Sequence, residues 1–503
     1  MEYLVNAEEM RRCDTNTIEK FHVPAVVLME RAALGIVEVI HKKYGKNRGK
    51  VLIAAGTGNN GADGIAVGRL LMQEGFQVTF FLAGKRERFS PLMELQVKIM
   101  EAYGGDICTD FPEAEYDIIV DALFGIGLTR ELKGDFLETV RRIKESTAWK
   151  ISVDMPSGIH TDTGAVLGDA VKADVTVTFA YRKLGLVLFP GCSYAGEVIV
   201  KQIGITEEGF EGRKPNIFCF ADEAEVSMPE RKKDGNKGTF GKVLVIAGSR
   251  EMSGACCLSA EAAFRMGCGM IRILTVKENR EILAKRLPEA ILGLYENREE
   301  MQEQLKAGCA WADCVLLGPG LGCSEETEEK LQFVLEQCEK PLVIDADGLN
   351  VLSENFGLYN SLKKSIIEKN RDVILTPHPG EFARLRKKSV SDIKEAFIRE
   401  AKEYAEENGC VLVCKDARTV VCDKGEPVYL NLSGNSGMAT AGSGDVLAGM
   451  ITGLLAQGMR AFDAAVLGVY FHGKAGDMAA LEKNEYTLLA GDLIKQFDSL
   501  FRS

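Results

Sequence analysis

The sequence predicts two consecutive α/β domains, the first organised around a doubly wound parallel sheet. Short apolar or β-branched runs alternate with helix-like stretches through both halves of the chain. A segment rich in charge and turn residues separates the two series. Each series carries a glycine-rich loop that follows an extended run and opens a helical one: Gly56-Thr57-Gly58-Asn59-Asn60-Gly61-Ala62-Asp63-Gly64 and Ala441-Gly442-Ser443-Gly444-Asp445-Val446-Leu447-Ala448-Gly449. Glycine lets backbone N–H groups close on a phosphate, and a helix N-terminus favours negative charge. Two such loops in different contexts point to two active sites working on one phosphorylated substrate.

Size and composition agree with this. A length of 503 residues favours two to four domains, and 46% hydrophobic with 27% charged residues is ordinary for a soluble globular chain. A net charge of -12 argues against broad binding to nucleic acid or anionic membranes, while leaving local phosphate sites open. The 14 cysteines are scattered without zinc spacing, as expected of buried thiols in a reducing cytoplasm. The first residues lack a signal-peptide apolar region, and no apolar run is long enough to span a bilayer.

In order along the chain, residues 8–42 read as two helices. Strands are expected at 51–55, 78–82, 117–121, 149–154 and 173–179, with helices such as 66–74 and 92–102 between them. Residues 204–238 read as a boundary, giving domains 1–215 and 216–503, with Phe218 in a short strand of either. The second series predicts strands at 243–247, 270–276, 314–317, 342–345, 373–376, 411–414 and 419–422. Long amphipathic helices are expected at 254–266, 325–337 and 391–408, and residues 445–501 read as nearly all helix.

The first loop formally matches G-x-G-x-x-G, but the next strand ends Phe81-Leu82-Ala83-Gly84-Lys85 without the acid that a dinucleotide site uses on ribose hydroxyls. An ordinary NAD site is therefore rejected. Asp121 and Asp154 close two further strands at the same sheet edge. With the twin asparagines they suit a monovalent or hard cation plus an acid/base carboxylate, the alternative being turn and N-cap aspartates. Lys183 reads as a solvated lysine before a site cation.

In the second loop, amides at the helix start can hold an anion while Asp445 accepts a hydroxyl proton, the alternative being an N-cap aspartate. The absence of Gly-Lys-Ser/Thr excludes a P-loop. Further loops lie at strand ends, and His378 stands between two prolines, open to either a structural or a substrate role. No second histidine has metal-ligand spacing, so zinc is not expected.

Together these motifs closely resemble the bifunctional NAD(P)H-hydrate repair enzymes, in which an NAD(P)HX epimerase domain is fused to a dehydratase domain of ribokinase-like fold. Asn59-Asn60-Gly61-Ala62-Asp63-Gly64 and Val153-Asp154-Met155-Pro156-Ser157-Gly158 carry the epimerase likeness. Lys237-Gly238-Thr239-Phe240-Gly241, Leu317-Gly318-Pro319-Gly320-Leu321-Gly322, Thr376-Pro377-His378-Pro379-Gly380-Glu381 and Ala441-Gly442-Ser443-Gly444-Asp445 carry the dehydratase likeness. The chain has Ala62 where the family often has Gly, and Asp416-Ala417 where it often has Gly-Ala.

The resemblance implies that Asn59, Asn60, Gly61, Ala62 and Asp63 bind the hydrate's phosphates, and that Asn60, Asp121 and Ser157 ligate potassium. It implies that Gly125-Ile126-Gly127-Leu128-Thr129-Arg130-Glu131 and Asp154 contact the hydrate, with Asp154 as acid/base. In the second half Ala255, Gly320, His378 and Asp445 would contact the hydrate. Lys415-Asp416-Ala417-Arg418-Thr419 and Gly444 would hold the adenine nucleotide. The implied chemistry is epimerisation of the R and S hydrates and dehydration of the S form. ADP is the expected donor, with ATP the alternative, and Mg2+ accompanies it. NADHX, NADPHX and ADP are the expected partners of a cytoplasmic homo-oligomer. A ribokinase-like kinase of a vitamin-precursor alcohol, with a non-catalytic N-terminal binding module, is the competing reading.

Overall fold

The computed structural model describes residues 1–45, 49–221, 226, 228 and 230–501. The chain divides into two compact units, Tyr3–Ile217 and Phe218–Ser503, the latter with Met1–Glu2. Part of the expected boundary segment 204–238 (residues 222–225, 227 and 229) lies outside the described residues.

In the first unit β1 (Glu2–Val5) pairs in parallel with β8 (Arg182–Lys183). The main sheet contains β2 (Lys50–Ala55), β3 (Gln77–Leu82), β4 (Ile107–Cys108), β5 (Ile118–Ala122), β6 (Trp149–Val153), β7 (Val175–Phe179) and β9 (Glu197–Lys201). Its order is β4-β3-β2-β5-β6-β7-β9 and every pairing is parallel. Strand order reverses between β2 and β5, so the crevice beyond their carboxyl ends is the natural ligand site. Gly56 and Asp121 both lie there.

The period of two in β2 sorts its side chains. Val51, Ile53 and Ala55 enter the core beneath the helices Ala25–Tyr44, Asn59–Gln73 and Pro91–Ala102, while Leu52 and Ala54 join the core on the opposite face. Both faces are covered, as a parallel sheet requires. Helix Asn59–Gln73 lies close on the sheet because Gly68 faces Phe80; a Cβ there would stand 2.3 Å from the ring.

β10 (Ile217–Cys219) marks the division and contains Phe218, as expected. The second unit's sheet is formed by β11 (Lys242–Ile246), β12 (Met270–Val276), β13 (Ile291–Tyr295), β14 (Cys314–Leu317), β15 (Leu342–Ile344), β16 (Val373–Leu375), β17 (Val411–Cys414), β18 (Val420–Cys422) and β19 (Val428–Leu430). They lie in the order β13-β12-β11-β14-β15-β16-β17-β18-β19, parallel through β17 and antiparallel in the last two pairings. The order again reverses, between β11 and β14. Helix Ser443–Ala456 packs on helix Ser253–Arg265 with almost no gap: a Cβ at Gly449 would stand 2.1 Å from the Ser259 carbonyl oxygen. That close seat fixes the start of the helix, where Asp445 lies.

The structure differs from expectation at several elements. β4, β9, β13 and β19 and the helix Asp135–Glu145 were absent from the sequence reading. β4 has two residues and β9 is largely half-buried, so neither writes a full apolar alternation. The helix expected from residue 66 begins at Asn59, because Asn, Gly and Asp are weak helix formers that read as loop yet favour a first turn. The helix expected over 391–408 is two, Val390–Glu395 and Phe397–Asn408, broken at Ala396 with φ -125° and ψ 31°.

Candidate active sites

The first site occupies the reversal between β2 and β5. The Gly56 N–H donates to the Ala122 carbonyl at 3.0 Å, and the chain then folds so tightly that a Cβ at Gly61 would stand 2.0 Å from the Gly56 carbonyl oxygen. Only glycine leaves that approach open. Asn59 to Asp63 form the first helical turn, whose leading N–H groups have no intrahelical acceptor.

Asp154 follows β6 with φ +62°, a left-handed conformation that aspartate tolerates better than most side chains. Its Oδ1 accepts from Lys183 Nζ at 2.5 Å, Thr178 Oγ1 at 3.0 Å and the Phe179 N–H at 3.3 Å. Oδ2 has no hydrogen-bond donor among the described residues. One oxygen is therefore anchored and the other is free for chemistry.

Lys183 corrects the expectation of a solvated lysine. It is 1% exposed, and its ammonium also donates to Thr178 Oγ1 at 2.9 Å and the Phe179 carbonyl at 2.8 Å. Three N–H bonds meet three acceptors, which is what a buried ammonium needs. A lysine in Tyr-Arg-Lys-Leu gives no sequence signal of this; the signal is β8, which is too short to be read.

A cavity of about 180 Å³ opens over these groups, lined on its polar side by Asp14, Asn59, Asp63, Asp154 and Lys183. Asp14, from the helix Ala7–Glu19, was not anticipated. Burial raises the carboxyl pKa of Asp14, with the Asp154 charge adding to it and Lys183 opposing. Asp63 is raised well above the usual carboxylate range by burial, then by the charges of Asp154 and Asp14. Of the run 125–131, Ile126 lines the cavity whereas Leu128 is buried in the core of the other face.

Asp121, near the carboxyl end of β5, is fully buried. Oδ2 accepts from Ser152 Oγ at 2.8 Å and the Ser157 N–H at 2.9 Å, and Oδ1 accepts from Ser157 Oγ at 2.5 Å. Burial raises its pKa and these donors pull it back. The buried Asn60 Nδ2 has no partner among the described residues, while Asn60 Oδ1 would lie 2.8 Å from a Cβ at Gly125. The two ends of an amide differ only by a rotation about its last bond, so Asn60 can equally present an oxygen. An orphaned amide and a buried carboxylate joined to a serine hydroxyl fit a weakly charged cation with oxygen ligands.

The second site gathers the ends of β15, β16 and β17 around the start of helix Ser443–Ala456. Gly442 is the N-cap with φ +89°, so Asp445 is not itself the cap. Its pKa is pushed up to about 7 by burial, then by Asp345, with Lys415 opposing. Lys415 Nζ donates to Asp345 Oδ1 at 2.7 Å, and the same oxygen accepts from Thr376 Oγ1 at 2.7 Å. A Cβ at Gly444 would stand 3.3 Å from Lys415 Nζ, so those two nucleotide-site candidates lie together.

His378 caps the helix Pro379–Arg386: Nδ1 accepts from the Gly380 and Glu381 N–H groups, which leaves the proton on Nε2. Burial lowers its pKa, and Lys415 lowers it further. Glu381 accepts from the His378 N–H at 2.8 Å and is itself raised to about 7, chiefly by burial. Gly320, at φ +63°, abuts Ala255, whose Cβ would lie 2.7 Å from one added there. Asp416 to Thr419 form the β17–β18 turn, closed by Thr419 Oγ1 on the Asp416 carbonyl at 3.2 Å. His472, also unanticipated, places Nε2 3.0 Å from the Ser443 carbonyl and has its pKa pushed down to about 4 by burial.

Among the described residues no helix is long and apolar enough to cross a membrane, and no group of three His, Cys, Asp or Glu is arranged for a metal ion.

Comparison with known proteins gives two family matches: YjeF-related protein N-terminus over residues 25–185 and NAD(P)H-hydrate dehydratase over residues 243–498. The bifunctional NAD(P)H-hydrate repair enzyme Nnr of Moorella thermoacetica is 36% identical, over 98% of this chain and 95% of its own. The Escherichia coli counterpart is 34% identical, over 97% and 92%. Among solved structures, the ADP/ATP-dependent NAD(P)H-hydrate dehydratase of Bacillus subtilis, co-crystallized with ATP/Mg2+, is 30% identical. It covers 55% of this chain and 93% of its own, with a TM-score of 0.48.

Proposed function

The chain belongs to the bifunctional NAD(P)H-hydrate repair enzymes, and from that premise we propose how its two sites divide the work. The first unit epimerises the hydrates and the second dehydrates the S form. We place the domain boundary at 215/216.

The substrate is a reduced nicotinamide bearing a hydroxyl on ring carbon six. In the first unit, the leading backbone N–H groups of the helix turn Asn59 to Asp63 receive the hydrate's phosphates and the run 125–131 closes over it. Asp154 takes part, through Oδ2, in the proton exchange by which the hydroxyl leaves and returns, while Lys183 holds Oδ1. The observation that carries this reading is that division of Asp154 into one anchored oxygen and one free oxygen. Asn60, Asp121 and Ser157 would hold potassium, which when bound would supply fixed positive charge beside the reacting ring.

In the second unit Ala255, Gly320 and His378 hold the hydrate, and Lys415 to Thr419 with Gly444 hold the nucleotide. Asp445 takes the hydroxyl proton as that oxygen attacks the terminal phosphorus of ADP, releasing AMP. The amides at the helix start offset charge on the transferring group. Phosphate then leaves as the ring nitrogen lone pair forms a double bond, and loss of the proton on carbon five restores the dihydropyridine. Magnesium would be held by the nucleotide phosphates, water and at most one or two carboxylates, and would supply positive charge against the phosphates.

We place the enzyme in the cytoplasm, where its free thiols stay reduced, as a symmetric homo-oligomer. The test is recovery of reduced-nicotinamide absorbance from mixed epimers with ADP or ATP, with and without potassium. Full nucleotide-dependent recovery is expected. A stall once the S form is consumed would reduce the first unit to a binding module, and a stable phosphorylated product would favour a kinase.

A further inference from the structure

Three carboxyl groups line the first cavity, and the lysine there has no N–H to spare for two of them. Lys183 spends its donors on Asp154, Thr178 and the Phe179 carbonyl. Asp63 and Asp14 face the same space with no hydrogen-bond partner among the described residues. The charged or titratable groups around Asp63 are Asp14 and Arg11 from the helix Ala7–Glu19, Asp154 after β6, and Lys183 in β8. Arg11 is exposed and donates to the Ile126 carbonyl at 3.1 Å. Like charges that share a poorly solvated site cannot all ionise. Two carboxyl groups whose surroundings differ this way take opposite acid and base roles.

Resting on the epimerase reading above, we propose that Asp63 is a second catalytic residue of the first unit, a neutral carboxylic acid that protonates the departing hydroxyl while Asp154 serves as the base. The Asp63 proton moves to the hydroxyl oxygen, and the bond from carbon six to that oxygen breaks. The ring nitrogen lone pair forms a double bond to carbon six, and water is released. Water then adds to the opposite face, the double-bond pair returns to nitrogen, and the surplus proton passes to Oδ2 of Asp154. That proton returns to Asp63 across the cavity, so no proton is gained or lost. Burial and the neighbouring charges, which raise Asp63, favour holding its proton at neutral pH.

The test uses the full chain with R-hydrate separated from S-hydrate, in the presence of ADP and Mg2+, so that absorbance recovery is limited by epimerisation. Asp63→Asn is expected to lower kcat for R-hydrate by about 100-fold or more, the usual worth of a general acid, with little change in KM. The unsubstituted enzyme should lose R-hydrate activity on the alkaline side as Asp63 gives up its proton. Asp14→Asn, which removes a neighbouring negative charge, should move that alkaline fall to lower pH; this variant keeps the test alive if Asp63→Asn does not fold. A raised KM with kcat intact in Asp63→Asn would make Asp63 a phosphate ligand and overturn the proposal. So would an R-hydrate rate with no alkaline fall. An unsubstituted chain that dehydrates S-hydrate but leaves R-hydrate at its spontaneous rate would instead overturn the epimerase reading itself.

Discussion

Lys183 and Asp154 are joined twice. The ammonium nitrogen stands 2.5 Å from Oδ1 of Asp154, and the Thr178 hydroxyl bridges them, accepting from the lysine and donating to the aspartate. Both side chains are buried, so each charge depends on the other. Lys183→Met should therefore strand a buried carboxylate, a loss of about 3–5 kcal/mol for a broken buried pair. A urea unfolding curve at neutral pH measures it. Adding Asp154→Asn should restore part of the loss, and an unchanged midpoint in the single variant would mean the pair contributes nothing to the fold.

The same pair predicts how the two activities separate. Asp154→Asn keeps the shape of the site and removes its proposed proton acceptor. We expect epimerisation of R-hydrate to fall by about 100-fold or more, with S-hydrate dehydration untouched because Asp445 belongs to the other unit. Parallel assays on the two separated epimers give the ratio. Equal loss of both activities would sink the division of labour.

The first site was legible in outline because its groups stand at strand ends and strand ends are readable. Asp121 and Asp154 announce themselves by closing β-branched runs, and the reversal between β2 and β5 then brings them to one crevice. Lys183 and Asp14 were not legible. A lysine's burial depends on acceptors at Thr178 and Phe179 that only the fold supplies, and Asp14 enters from a helix whose facing is set by packing. In the second unit the loops were visible in their glycines. That Lys415 pairs with Asp345 beneath Gly444 is a long-range outcome of three adjacent strands. His472 reads as one more residue of a long helix until its contact with Ser443 is seen.

Gly318 tests whether Asp345 needs its present seat. It has φ +130°, and a Cβ there would stand 1.8 Å from the Asp345 carbonyl oxygen. Gly318→Ala must displace the backbone that carries the Lys415 partner. We expect a stability loss of about 1–3 kcal/mol or more from the overlap and a fall in dehydration, with R/S interconversion retained. Loss of neither stability nor dehydration would show that the Asp345 seat can move freely.

Asp445 predicts the pH dependence of dehydration. A base acts only when it has lost its proton, and burial together with Asp345 pushes this carboxyl up to about 7. kcat/KM for S-hydrate should therefore rise with pH to a plateau, with its midpoint near 7, and fall away on the acid side. Asp445→Asn should remove both the activity and the limb. A flat profile through neutral pH in the unsubstituted enzyme would assign the proton to another group.

The same residue should cost the fold stability, and the sign can be worked out. A carboxyl raised in the folded chain, from 3.8 to about 7, is held there preferentially with its proton on. Below about pH 4 it is protonated in both states and costs nothing, whereas the cost grows as pH rises and is complete above about 7. At about 1.4 kcal/mol for each tenfold change, the full cost is at most about 4 kcal/mol. That value already includes the opposing charge of Lys415, which favours the ionised form. Asp445→Asn should thus raise the unfolding midpoint of the inactive enzyme at pH 8, and the gain should vanish at pH 4. A variant no more stable than its parent at pH 8 would mean that Asp445 ionises there without penalty, so that burial does not govern the charge of the proposed base.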